Sequence, residues 1–157
     1  MTKYSAGVLL FRDGPGTEPE VLLGHPGGPL WARRDDGAWS ILKGEYDVEE
    51  DPRAAAYREF AEEVGSPVPP GPAYDLGQLR LPSGKRLTVY AVRGDLDPAQ
   101  AHSNTFEMIW PPRSGRTQTF PEIDRVDWFT IEVATRKLAG GQAEFLTRLR
   151  TALTSPA

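Results

Sequence analysis

The segment from Asp51 to Pro67 constrains this chain more than any other. Asp51-Pro52 is a strong helix start, because aspartate accepts backbone N–H bonds at an N-cap and proline suits the first helical position. Gly65, with Pro67 beyond it, is the matching stop, so the signals predict a helix over Pro52–Val64. On a wheel of about 100° per residue, Tyr57, Phe60, Ala61 and Val64 gather on one side and are predicted to face the core. Glu59, Glu62 and Glu63 gather on the other side, at spacings that make neighbours on a helix surface. All three lie in the C-terminal half, where the macrodipole disfavours negative charge. Breaches of local rules concentrate at functional sites. A hard divalent cation would resolve this one, since magnesium prefers carboxylate, carbonyl and water oxygens. A solvated acidic face is the commoner fate of three glutamates taken alone.

Around this helix the chain reads mostly as strands. Tyr4 to Arg12 is predicted as a buried strand around the continuous run Val8-Leu9-Leu10-Phe11, Glu20 to Gly24 as a second, and Trp39 to Leu42 as a short third. Tyr74 to Leu81 and Arg86 to Gly94 are two strands joined by the turn Pro82-Ser83-Gly84-Lys85. Thr105 to Trp110 and Arg125 to Phe129 are further strand candidates. Phe145, Leu146, Leu149 and Leu153 share one face of a predicted amphipathic helix over Gln142 to Leu153. The class is α+β, or a mixed sheet between helices, rather than a regular βαβ array.

At 157 residues the chain fits one domain, with no repeat and no long linker. No apolar run approaches the ~20 residues that span a bilayer, and nothing marks an export signal, so the cytoplasm is the expected compartment. The absence of cysteine excludes disulfides, thiolate zinc sites and cysteine nucleophiles. A net charge of −4 argues against general nucleic-acid binding, yet leaves room for a phosphorylated small molecule held by a few placed cations and a metal. Nothing in the pattern marks an oligomer interface.

Gly44, Glu50, Arg58-Glu59-Phe60, Glu62-Glu63 and Gly65 together read G-x5-E-x7-R-E-F-x-E-E-x-G. This resembles the Nudix box, with Ser66 standing where the family has a bulky apolar residue. The resemblance implies an α/β/α sandwich around a mixed sheet, with the box as loop–helix–loop. It also implies hydrolysis of a nucleoside diphosphate linked to another group, with Mg2+ or Mn2+. By position, Glu62 and Glu63 match the main metal-binding carboxylates. Glu59 matches a residue that binds metal or activates water, and Glu50 a supporting acid. Arg58 matches an arginine that holds the carboxylates, and the Lys43 backbone carbonyl one that reaches the metal.

The general base must be a carboxylate near the attacking water. Glu59 is one candidate and Glu122, in a loop before a late strand, another; Glu107 is a weaker third. Lys43 and Gly44 are expected to meet substrate phosphates, and Trp39 to Gly44 resembles the approach to the box in diadenosine and diphosphoinositol polyphosphate hydrolases. Arg113 and Arg116 form a basic turn suited to phosphate oxygens, and Trp31 is a candidate for stacking on a base. His25 and His102 lack metal-ligand spacing. A nucleoside triphosphate or dinucleoside polyphosphate is the favoured substrate, with ADP-ribose-like compounds next and a non-cleaving nucleotide sensor as the rival of another class.

Overall fold

Strand β1, Tyr4–Asp13, orders the rest of the molecule in this computed structural model, which describes residues 2–154. Its side chains alternate between two faces. Val8 and Leu10 enter one buried cluster, and Leu9 and Phe11 enter another. That is why its sequence is continuously apolar: both faces are covered. β1 pairs antiparallel with β2, Pro19–Pro26, and with β3, Leu42–Tyr46. It pairs parallel with β5, Arg86–Arg93, whose other neighbour is β4, Ala73–Arg80. β8, Ile123–Thr130, closes the far edge against β2. The sheet is therefore mixed, in the order β4-β5-β1-β2-β8, with β3 hydrogen-bonded to β1.

Helix α1, Pro52–Val64, packs Ala55, Ala56, Phe60 and Val64 against Val8, Leu10 and Leu42 on one face. On the other face lie α2, Ile131–Lys137, and α3, Glu144–Thr154; Ile131, Phe145 and Leu149 cover Leu9, Phe11, Leu87 and Val89. Helices on both faces of a mixed sheet give the expected α/β/α sandwich. A separate two-stranded sheet is formed by β6, Thr105–Ile109, and β7, Thr117–Pro121.

One expectation needs correction. The third strand does not run from Trp39 to Leu42; those residues make isolated bridges at Trp39 and Ser40, and β3 begins at Leu42 and continues through Gly44. Its sequence, Leu-Lys-Gly-Glu-Tyr, has little apolar alternation and is a strand because β1 offers it a ladder. Helix α2 had no sequence forecast; seven residues are too few to establish a period, although Thr130 caps it through its hydroxyl. The turn at Pro82 to Lys85 is as expected, with Gly84 at φ 90° and the Leu81 amide donating to the Lys85 carbonyl.

Candidate active site

Helix α1 begins and ends where its signals lie. The Asp51 carboxylate accepts from the Ala54 amide at 3.0 Å, and Gly65 closes the helix in the left-handed conformation at φ 79°. Its rotation about its own axis differs from the expected one. Ala55, Ala56, Phe60, Glu63 and Val64 are the buried residues, so Glu63 sits in the middle of the buried arc, Glu59 between it and Ala55, and Glu62 at the border. The acids are not opposite the core; Tyr57 and Ala61 mark its rim.

This rotation sets the electrostatics. Glu63 is 8% exposed, and its Oε1 is fully enclosed without a hydrogen-bond partner. Burial pushes its carboxyl up to about 8, opposed by the Lys43 backbone N–H and the Lys43 ammonium. Burial, and then the neighbouring Glu62, also raise Glu59. Arg58 occupies the centre of the outer acids. It donates to Glu59 at 2.8 Å and through its second nitrogen to both oxygens of Glu50 at 3.2 Å, and it pairs with Glu62 at 3.5 Å. The arginine thus fixes three carboxylates that would otherwise repel one another.

Strand β3 brings the start of the box against this helix. A Cβ at Gly44 would collide with the Glu59 carboxylate, so only glycine lets strand and side chain approach so closely. Lys43 stands opposite Gly7 in the β1–β3 ladder, and its N–H turns to Glu63. In a strand the N–H and C=O of one residue point the same way. The Lys43 carbonyl therefore also leaves the ladder on the carboxylate side. Its ammonium is held below the usual lysine range, first by burial and then by the facing Lys85.

Glu122 reaches the site through a backbone relay. Asn104 N–H donates to the Glu62 carbonyl, Glu122 N–H to the Asn104 carbonyl, and Gly27 N–H to the Glu122 carbonyl. Its charge acts on both Glu59 and Glu63. His102 also donates its amide to the Val64 carbonyl, while its ring fills the space over Gly65. The Ser66 side is exposed, and Val68 supplies the apolar contact instead.

Arg113 and Arg116 lie in the exposed turn between β6 and β7, and among the described residues neither side chain forms a hydrogen bond or ion pair. Glu107 is exposed on β6. Trp31 is partly exposed, with the Arg34 guanidinium 5.5 Å from its ring centre. Sequence reasoning gave Asp124 and Arg125 no role and did not find the partners of His25. His25 Nδ1 lies 2.8 Å from Asp124 and its Nε2 lies 2.6 Å from the Arg34 carbonyl. The two partners of the ring come from elements far apart in the chain, and no spacing rule could have paired them.

The donor set suits a hard cation: carboxylate oxygens, one of them buried and unpartnered, beside a carbonyl turned out of its ladder. Among the described residues no three acid or histidine side chains form a ready metal cluster, and Arg58 engages Glu59 and Glu62.

A sequence model of the NUDIX domain matches residues 1–149. The chain belongs to the Nudix hydrolase family. Such enzymes act on pyrophosphate bonds and generally use divalent metals. One relative, an RNA pyrophosphohydrolase of Cellvibrio japonicus (strain Ueda107), is 45% identical over 58 residues, which is 34% of each chain. The match therefore spans about a third of that relative's length. The NUDIX domain of Shewanella oneidensis NrtR, solved with ADP ribose, superposes with a TM-score of 0.65 at 18% identity, covering 98% of this chain and 90% of that one. A C. elegans Ap4A hydrolase in a binary complex gives 0.62 at 18% identity, covering 97% and 98%. At these identities the structural likenesses speak for the fold. No helix among the described residues of this Nudix hydrolase is long and apolar enough to cross a membrane.

Proposed function

We infer that this hydrolase cleaves a pyrophosphate bond in a nucleotide carrying a phosphate chain, a nucleoside triphosphate or dinucleoside polyphosphate, with Mg2+ or Mn2+. The observation that carries the reading is Glu63, buried with an unpartnered oxygen beside Glu59, Glu62 and the Lys43 backbone. Glu59, Glu62, Glu63 and the Lys43 carbonyl would hold the metal. When bound, the ion neutralises phosphate oxygens and acidifies the attacking water.

The remaining work falls to the chain. Arg58 holds Glu50, Glu59 and Glu62 in register. The Lys43 ammonium and the glycine backbone at Gly44 receive a phosphate. Glu122 takes the proton of the attacking water: among the described residues no cation bonds its carboxylate, whereas Glu59 is held by Arg58.

The test is product analysis after incubation with Mg2+ and a panel of nucleoside triphosphates, dinucleoside polyphosphates, ADP-ribose and 5′-triphosphorylated RNA. Release of pyrophosphate, phosphate or a mononucleotide from the first two classes is expected. Turnover of ADP-ribose alone would move the substrate to that class, and tight binding without products would make the chain a sensor.

A further inference from the structure

A cavity of about 410 Å³ opens beside β2 and β8, where His25, Arg33, Arg34, Asp35, Asp124 and Arg125 line it together with Ala32. Both of its acids are already engaged. Asp124 faces His25 at 2.8 Å, and Asp35 accepts from Trp39 at 2.8 Å and from Lys137 at 2.6 Å. The three guanidiniums are not: among the described residues none of Arg33, Arg34 and Arg125 forms an ion pair. Two are held by aromatic faces, Arg125 at 4.9 Å from the Trp39 ring centre and Arg34 at 5.5 Å from that of Trp31. Stacking fixes each cation's plane while leaving its N–H groups free. Ala32 is the one apolar side chain in the lining, so the cavity has little to offer a base or a lipid chain. Its chemistry is that of a site for phosphate oxygens.

The floor is built rather than incidental. His25 is 3% exposed, and its ring ties β8, through Asp124, to the Arg34 backbone. A carbonyl can only accept, so Nε2 carries a proton; the bond to Asp124 needs another, on Nδ1 or on the carboxyl. This bridge holds the loop bearing Arg33 and Arg34 over Arg125. A smaller cavity, about 110 Å³, is bordered by Glu63 and shares Asp124 and Arg125 with the first.

We propose that Arg33, Arg34 and Arg125 form an anion subsite that takes the far phosphates of a phosphate chain whose cleaved anhydride lies at Glu63. This deepens the pyrophosphate reading above and rests on it for the scissile end. Selection is then by charge beyond the cut: a longer phosphate chain is retained, and a nucleotide with only two phosphates gains less.

Two measurements separate the ideas. The first titrates the whole chain with inorganic tripolyphosphate by calorimetry in EDTA, where the metal contributes nothing. Arg33→Gln and Arg125→Gln should each weaken binding about tenfold and flatten its salt dependence, since each removes charge-assisted bonds to phosphate. Arg150→Gln, which removes a surface pair with Glu18 far from the cavity, should leave it unchanged. The guanidiniums are exposed, so these variants should melt like the parent. The second measures turnover of a nucleoside triphosphate, where KM should rise with kcat held. Unaltered tripolyphosphate affinity in the Arg33 and Arg125 variants overturns the subsite, whatever the activity. Arginine-dependent tripolyphosphate binding with no nucleotide hydrolysed would instead sink the pyrophosphate reading and leave the anion site standing.

Discussion

Replacing Glu63 by glutamine tests the central electrostatic claim without any substrate. Burial raises this carboxyl from its ordinary 4.5 to about 8 in the folded chain. A raised folded pKa means that the native state holds a proton the unfolded state has lost. Stability from this group is fully present below pH about 4.5 and is lost as pH rises through about 8. At about 1.4 kcal/mol per pH unit, the metal-free chain should lose about 3 to 4 kcal/mol between pH 5 and pH 8 through this group alone. At roughly 2 to 4 °C per kcal/mol for a chain of this size, that is a fall of about 6 to 15 °C in Tm. Glu63→Gln keeps the shape and removes the titration, so its melting temperature in EDTA should vary much less over the same range. Magnesium should recover the parent's loss at pH 8 and do little for the variant. Differential scanning calorimetry at several pH values reads both effects. Parallel pH profiles for parent and variant in EDTA would refute the reasoning, since burial would then not be keeping the carboxyl protonated.

Gly44→Ala drives a methyl into the Glu59 carboxylate, and should cut turnover at least tenfold while costing about 1 to 3 kcal/mol in denaturant melts. His25→Ala removes a buried ring that bridges Asp124 and the Arg34 carbonyl; the loss should be about 2 kcal/mol by thermal melting, with faster amide exchange in residues 31–37. Arg58→Lys keeps the charge and loses the fork that spans Glu50 and Glu59, so metal affinity measured by titration should fall although the fold persists. Glu122→Gln should lower kcat with little change in metal affinity; an unchanged kcat would return the role of base to Glu59.

The cap residues were legible because they act locally: Asp51 and Gly65 fix the ends of α1 by their own backbone chemistry. The face of the helix was not, because Ala55 and Ala56 carry little hydrophobic signal and yet lie flush against the sheet. Their weight turns the buried arc toward Glu63, and the wheel, drawn to Tyr57 and Ala61, placed it wrongly. The box acids themselves were readable from spacing, since one helix presents them. Glu122 was readable only as a candidate, because its position depends on hydrogen bonds that link it to Gly27, to Asn104 and, through Asn104, to Glu62 of α1, segments far apart in the chain. Arg113 and Arg116 formed a basic turn in the sequence, and the fold sets that turn between the strands of the separate two-stranded sheet. Of the arginines that line a cavity, Arg125 stands on β8 and Arg33 and Arg34 come from a loop placed by long-range bonds at His25, Asp35 and Asp36.

That histidine bridge gives the two halves of the site different freedom to change. Strand β3 is laced to β1, at the centre of the sheet, and a substitution there disturbs the core that folds the whole chain. The loop before it is tied down by side chains, at His25, Asp35 and Asp36, and between those ties it can be rewritten while the carboxylates keep their places. Over many generations such a scaffold would hold its bond-breaking chemistry nearly constant and let its diet drift. For an engineer the order is the same: exchange the loop from Gly28 to Gly37 to change what is eaten, and leave the strand alone.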